Sequence, residues 1–185
     1  MAYSIRRLSQ DEMDQAAIVH RTAFDERLPW LSGLHTPKED RIFFRETVFA
    51  DCEVWGAIDD VVFGFIAFRK GWIDQLYVLP HRQNQGAGGV LLQVAKAASS
   101  SLKLWTFQRN EPARRFYEKH GFVGVEETDG TRNEEREPDV LYQWQERRPG
   151  SSGQVLAFDK WVLCRLLSWL AVVGSSRKEG VARLE

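Results

Sequence analysis

The chain has 185 residues, 43% of them hydrophobic and 28% charged, a composition that suits one compact soluble domain and excludes a disordered or fibrous chain. Its formal net charge of -1 exerts no global pull on nucleic acid or on an anionic membrane, so no nucleic-acid partner is expected. Cys52 and Cys164 are too far apart for a disulfide framework or a Cys-x-x-Cys metal site, and His20, His81 and His120 lack metal-ligand spacing, so no metal is expected. The opening stretch MAYSIRRLSQDEMD carries charges where a secretory signal needs an apolar run, which reads as a cytoplasmic protein.

Tyr3–Leu8 reads as a first strand. Ser9 and Glu12 have capping-box spacing, and Met13, Ala16, Ala17 and His20 to Phe24 continue at helical intervals. Thr36-Pro37-Lys38-Glu39 repeats that start signal and opens a second helix running to about Val48. Glu53–Ile58 and Val61–Phe68 form a hairpin across Asp59-Asp60, and Trp72–Leu79 is the next strand, stopped by Pro80. Gly86, Gly88 and Gly89 then lead into a helix with a wide apolar face, followed by a strand over Leu102–Phe107. Asn110 caps a helix from Glu111 to His120, which ends at Gly121-Phe122. Phe122–Glu127 and Val140–Trp144 close the pattern around the polar stretch Asp129–Asp139. The expected fold is α/β (or α+β): a mixed, mostly antiparallel sheet flanked by helices. Trp55, Trp72, Trp105 and Trp144 fall in strands, where they read as core packing.

The order strand, glycine-rich turn, helix around Gln83-Asn84-Gln85-Gly86-Ala87-Gly88-Gly89 carries the first chemical signal. The first amides of a helix lack intrahelical acceptors and sit at the positive end of its dipole, so they favour an anion. Glycines admit the anion close to the backbone and permit positive φ. The same glycines also serve a tight strand-to-helix connection. No Gly-Lys-Ser/Thr follows, and the glycine spacing is not that of a dinucleotide fingerprint.

The segment Gln83-Asn84-Gln85-Gly86-Ala87-Gly88, after a strand ending Leu76-Tyr77-Val78-x-Pro80, resembles the Q/R-x-x-G-x-G/A signature of Gcn5-related N-acetyltransferases. A second stretch, Leu104 to Phe122, is similar to that family's strand, N-x-x-A-x-x-F-Y and Gly-Phe, with Asn110, Ala113, Phe116, Tyr117, Gly121 and Phe122 in place. The resemblance covers about residues 3–148. It implies acetyl-coenzyme A as co-substrate, with Leu76, Tyr77 and Val78 along the pantetheine arm and Gln83, Asn84, Gln85, Gly86, Ala87, Gly88 and Gly89 at the pyrophosphate. It also implies that Asn110 contacts the coenzyme and that Tyr117 is the general acid for the departing thiolate. A phenol suits that step, because its pKa near 10 lies close to that of an alkyl thiol. Packing in the helix core is the other reading of Tyr117, and a simple N-cap that of Asn110.

The expected activity is transfer of acetyl to a primary amine by direct attack; the alternative is a non-catalytic coenzyme-A-binding sensor or scaffold. Trp30 and His35 precede the second helix, which commonly walls the acceptor site in the resembled family. Asp74 and Glu53 stand as candidate bases or as surface carboxylates. Glu134 and Glu135 belong to an acidic loop that would attract a cationic amine or serve as a solvated turn. Pro149 to Gln154 reads as a linker, and 155–185 as an apolar helical tail whose Asp159, Lys160 and Arg165 make membrane spanning expensive. Docking on this domain, or on a second copy in a homodimer, is the favoured account of the tail; surface membrane attachment comes next.

Overall fold

The protein is described by a computed structural model over residues 3–146, all within one compact unit spanning 1–146. The linker and the apolar tail read from the sequence lie outside the described residues. β1 (Ser4–Arg7) leads through a turn at Ser9, where the capping box forms: the Glu12 carboxylate accepts the Ser9 N–H at 3.0 Å. The Arg6 guanidinium on the same carboxylate, with Ser9, holds the Glu12 carboxyl down at about 2. α1 (Met13–Arg27) buries Met13, Ala16, Ala17, Val19 and Ala23 on one stripe.

α2 (Pro37–Phe43) opens with the second expected capping box, Thr36 with Glu39. The sequence reads one helix to Val48; the chain instead widens into a π-helical turn (Phe44–Val48) before α3 (Phe49–Asp51). Phe44 and Val48, two large core side chains, are the buried residues of that turn. β2 (Glu53–Ile58), β3 (Val62–Arg69) and β4 (Trp72–Val78) make an antiparallel meander. β3 is buried from Val62 to Phe68 because both faces are covered. Phe65 and Ala67 join the core under α1, while Ile66 and Phe68 join the core on the opposite face.

After β4 come α4 (Ala87–Ala98), β5 (Ser101–Phe107), α5 (Glu111–Lys119), β6 (Val123–Glu127) and β7 (Asp139–Gln145). The sheet order is β1-β2-β3-β4-β5-β7-β6. Every neighbouring pair is antiparallel except β4–β5, since a parallel pair needs a crossover and α4 supplies it. The mixed, mostly antiparallel sheet flanked by helices is the expected one. The four strand tryptophans are half-buried, and Trp55 and Trp144 pack against the core.

One feature of this sheet positions everything below. β4 and β5 share a single residue pair, Trp72↔Lys103, reinforced by Lys103 N–H to the Gly71 carbonyl at 2.8 Å. β4 then shifts register against β3, so that Phe68 pairs Ile73 and Ala67 pairs Gln75, with Asp74 as the extra residue. A bulge bends its strand. Beyond it, the C-terminal half of β4 no longer pairs with β5.

α4 holds this split sheet from one face through Leu91, Leu92 and Ala95, each fully buried. Replacing Leu91 with alanine removes a side chain with no solvent contact, and such changes cost about 3 kcal/mol. Urea unfolding of Leu91→Ala should therefore show a lower midpoint at unchanged slope.

Candidate active site

The glycine-rich turn leaves β4 through a short 3-10 turn, Pro80–Arg82. Gln83 Nε2 donates to the Val78 carbonyl at 2.9 Å, and Gln85 Nε2 donates to the His81 carbonyl at 3.1 Å, so the turn is folded back on the strand end. Asn84 (φ 60°) and Gly86 (φ 90°) take left-handed backbone conformations, which bring the chain round into α4. The first intrahelical bond is Val90 N–H to the Gly86 carbonyl. The amides of Gly86 to Gly89 therefore have no acceptor inside the helix, and no side chain caps that end. A Cβ on Gly86 would meet nothing within 4 Å. That is the uncapped N-terminus of a 12-residue helix, the positive end of its dipole, where the chain leaves β4.

Gly88 and Gly89 have a second duty. A Cβ on Gly88 would lie 3.6 Å from the Phe116 ring, and one on Gly89 would lie 3.1 Å from His120 Nε2. At Gly88 that is ordinary contact; at Gly89 it is crowded, and glycine there lets the start of α4 approach α5 closely, which is the tight-connection reading of the run.

α5 starts as the sequence suggests, with Asn110 Oδ1 accepting the Ala113 N–H at 3.3 Å. Tyr117 is buried, 8% exposed, in one core cluster with Val78, Ala87 and Leu104. Its ring packs against Phe116, Phe122 and Tyr142 at centroid distances of 5.2, 5.6 and 6.3 Å. Both motif segments are therefore in place: the end of β4 and the start of α4 on one side, β5 and Tyr117 on the other. Lys96 closes α5 by donating to the His120 carbonyl at 2.6 Å, with its ammonium over Trp144.

The acceptor-side candidates separate into two places. Trp30, His35, Glu134 and Glu135 lie on two loops that meet: His35 Nε2 is 3.7 Å from Glu134 Oε1. At neutral pH this contact is not an ion pair, because burial pushes the His35 imidazole down to about 4. Burial, with Glu135 nearby, raises the Glu134 carboxyl. Trp30 Nε1 donates to Glu137 Oε1 at 2.9 Å, a partner that only the structure picks out of the acidic loop. The first loop is pinned by Arg21, which binds the buried Asp40 at 2.6 Å through Nε and the His35 carbonyl at 2.7 Å through Nη2.

Asp74 sits elsewhere. Its carboxylate accepts from Arg69 Nε at 2.9 Å and from the Cys52 thiol at 3.5 Å. Cys52 and Arg69 line a depression of about 460 Å³ with Asp51, Lys70 and Ser99. That depression is beside the β3–β4 turn and the C-terminal end of α4, the opposite end of the sheet from the glycine turn. Glu53 carries the Trp55 indole at 3.4 Å and is exposed. Among the described residues no group of three or more His, Cys, Asp or Glu is arranged to hold a metal, and no helix is long and apolar enough to cross a membrane.

His20 is the residue that sequence spacing passed over. It leaves α1 toward the end of β4, its ring edge-on to Tyr77 at 4.7 Å and close to Phe44 and Phe24 at 5.3 and 5.5 Å. Nδ1 is sealed from solvent with no hydrogen-bond partner. Burial, aided by the Arg21 charge, drives the imidazole from 6.5 down to about 3, so it is neutral at physiological pH.

Comparison with known proteins agrees with this geometry. A family model described as Acetyltransferase (GNAT) domain matches residues 50–124, from before β2 to the start of β6. Peptidyl-lysine N-acetyltransferase YiaC of Escherichia coli (strain K12) is 29% identical over 80 residues, which are 42% of this chain and 55% of that protein. The chain thus spans about half the length of that curated relative. Among solved structures, apo YjaB from Escherichia coli superposes with a TM-score of 0.66 at 22% identity, covering 80% of this chain and 100% of that one. The PaiA N-acetyltransferase of Thermoplasma acidophilum, solved in complex with coenzyme A, gives 0.59 at 22% identity over 78% and 99%. With its split sheet and glycine turn, the chain shares the fold of these proteins, and its residues 50–124 are similar to the acetyltransferase (GNAT) family model.

The His20 environment makes a measurable demand. Its folded pKa is depressed, so between about 3 and 6.5 the unfolded chain binds a proton that the folded chain refuses. The stability it contributes is complete above 6.5 and is lost as pH falls through that window. His20→Phe keeps an aromatic ring and removes the titration. Its thermal midpoint should fall less steeply from pH 7 to pH 5 than that of the wild type, by up to about 1 kcal/mol per pH unit.

Proposed function

We propose that the chain transfers the acetyl group of acetyl-coenzyme A to a primary amine by direct attack. The observation that carries this reading is the uncapped N-terminus of α4 next to the end of β4 that no longer pairs with β5, with Tyr117 in one core cluster with Val78 and Ala87. The residues fit the coenzyme. Amides of Gly86 to Gly89, with the turn Gln83 to Gln85, suit its pyrophosphate. The edge of β4 at Leu76 to Val78, beyond its pairing with β5, suits the amides of the pantetheine arm. Asn110 uses Oδ1 for its cap, leaving Nδ2 for the coenzyme.

In this reading the neutral amine attacks the thioester carbonyl carbon and its electron pair forms the new C–N bond. The carbonyl oxygen gains negative charge, which backbone N–H groups near Tyr77 and Val78 stabilise. The carbonyl re-forms as the C–S bond breaks, and the departing thiolate takes the proton of the Tyr117 hydroxyl. The ammonium of the new amide loses its proton to solvent, and the Tyr117 phenolate is reprotonated. The acceptor enters between the loop of Trp30 and His35 and the acidic loop carrying Glu134 and Glu135. Crowding of carboxylates there favours a positively charged amine, the ordinary state of an alkylamine in solution.

The test is Tyr117→Phe, which preserves the packing with Phe122 and Tyr142. It should lower kcat for acetyl transfer by about 10²-fold, measured as free thiol released across an amine panel. The dissociation constant for acetyl-coenzyme A, measured by calorimetry, should stay within about twofold. Tight coenzyme binding by the wild type with no amine acetylated in the panel would replace the enzyme by a coenzyme-A-binding module.

A further inference from the structure

Where β5 ends, Arg109 turns back across the cleft mouth. Its guanidinium carbon lies 3.8 Å from the centroid of the Trp30 ring, and its Nη1 lies 3.4 Å from Glu137 Oε1. Trp30 donates to that same oxygen at 2.9 Å. Three segments remote in sequence thus build one arrangement: an indole face, a carboxylate at its edge, and a cation over both.

The three members are not held alike. Glu137 is 15% exposed at its side chain, and its backbone is fixed in both directions by Asn133, which donates to the Glu137 carbonyl at 2.7 Å and accepts its N–H at 3.1 Å. Gly130, at φ 78°, packs so tightly against the Glu137 backbone that a Cβ there would lie 2.4 Å from its carbonyl carbon. The Arg109 side chain, by contrast, is 58% exposed, and its ion pair with Glu137 is long at 3.4 Å. An exposed pair of this kind is worth little. The carboxylate is the fixed part, the Trp30 indole, 43% exposed, is tied to it through its N–H, and the guanidinium is the exchangeable one. An aromatic face with a carboxylate at its rim is a recognition element for organic cations.

We propose that Trp30 and Glu137 form a seat for a second positive charge on the acceptor, and that Arg109 is a tethered placeholder which the acceptor displaces. The reacting amine has to be neutral to attack, so this charge is a different group of the same molecule. The acceptor class is then an amine bearing another cation a few bonds away: a small diamine, or a peptidyl lysine with a basic neighbour. The inference rests on the proposed acetyl transfer for the identity of the reacting group, and it assigns Glu137, rather than Glu134 or Glu135, as the charge the acceptor meets.

The experiment compares 1,3-diaminopropane with propylamine, and a lysine peptide flanked by arginine with one flanked by glutamine. Acetylation kinetics and calorimetric binding to the coenzyme-A-saturated protein are both measured. Glu137→Gln should raise KM and the dissociation constant for the dicationic member of each pair about tenfold and leave the monocationic member unchanged. Arg109→Ala should move the dications the other way, lowering both constants about threefold, because the competitor is gone. A purely structural latch predicts the reverse for Arg109→Ala: equal or weaker binding of every acceptor. Equal effects of Glu137→Gln on both members of each pair, or no tightening with Arg109→Ala, would overturn the seat. A preference confined to the diamine or to the peptide identifies the source of the cation. If the wild type acetylates nothing but calorimetry shows the charge pattern, the transfer reading falls and the seat stands. If transfer proceeds without the pattern, the seat falls alone.

Discussion

β4 and β5 run side by side in the same direction yet meet at a single residue pair, Trp72↔Lys103. A sheet interior normally has no unpaired backbone, because a buried N–H or C=O without a partner costs about as much as a lost hydrogen bond. Here the strands separate after the Asp74 bulge, and the backbone edge of β4 is left for something other than β5. The rest of the molecule accommodates that opening. α4 crosses from one strand to the other and bridges the gap from one face with Leu91, Leu92 and Ala95. β7 pairs β5 along its full length, from Ser101↔Gln145 to Phe107↔Asp139, so β5 is anchored on its other side.

The same opening explains why the glycine turn sits where it does. A helix that must start at the end of β4 and lie across the split has its N-terminus at the mouth of the cleft. Its uncapped amides are then not a defect at the surface but donors beside the strand end that has left β5. Gly89, where a Cβ would crowd His120, lets α5 pack close to that terminus. The proposed anion site and the helix packing would then use adjacent residues of one run.

Much of this was legible in the sequence because it is local. Capping boxes at Ser9 and Thr36, the Pro80 stop, the glycine run and the Asn110 cap each depend on residues within a few positions of one another, and each fixes an element boundary. The π-helical turn at Phe44–Val48 was not legible, because an α-helix and a π turn bury the same apolar pattern there. Asp74 shows a different limit. Its place in β4 was readable, but its orientation depends on the bulge, and the Arg69 and Cys52 partners follow from that. His20 escaped attention because a histidine in a helical pattern carries no signal until Tyr77, Phe44 and Phe24 are seen around it.

The two halves of the proposed site, one for the coenzyme and one for the acceptor, differ in how they are encoded, and this difference bears on specificity. The coenzyme half is built from contiguous stretches, 76–89 and 104–122, in which backbone amides and packing do most of the work. Side chains there can vary so long as the turn and helices form. The acceptor half is assembled from positions 20 to 35, 109 and 134 to 137, joined by side-chain contacts such as Trp30 with Glu137 and Arg21 with the His35 carbonyl. A backbone-built site constrains fold, whereas a side-chain-built site can change its ligand by single substitutions without disturbing the sheet. If the split sheet holds the coenzyme as proposed, the loops carrying Trp30, Arg109 and Glu137 are left to select the amine, and the pairing of Arg109 with Glu137 sets the charge they would present.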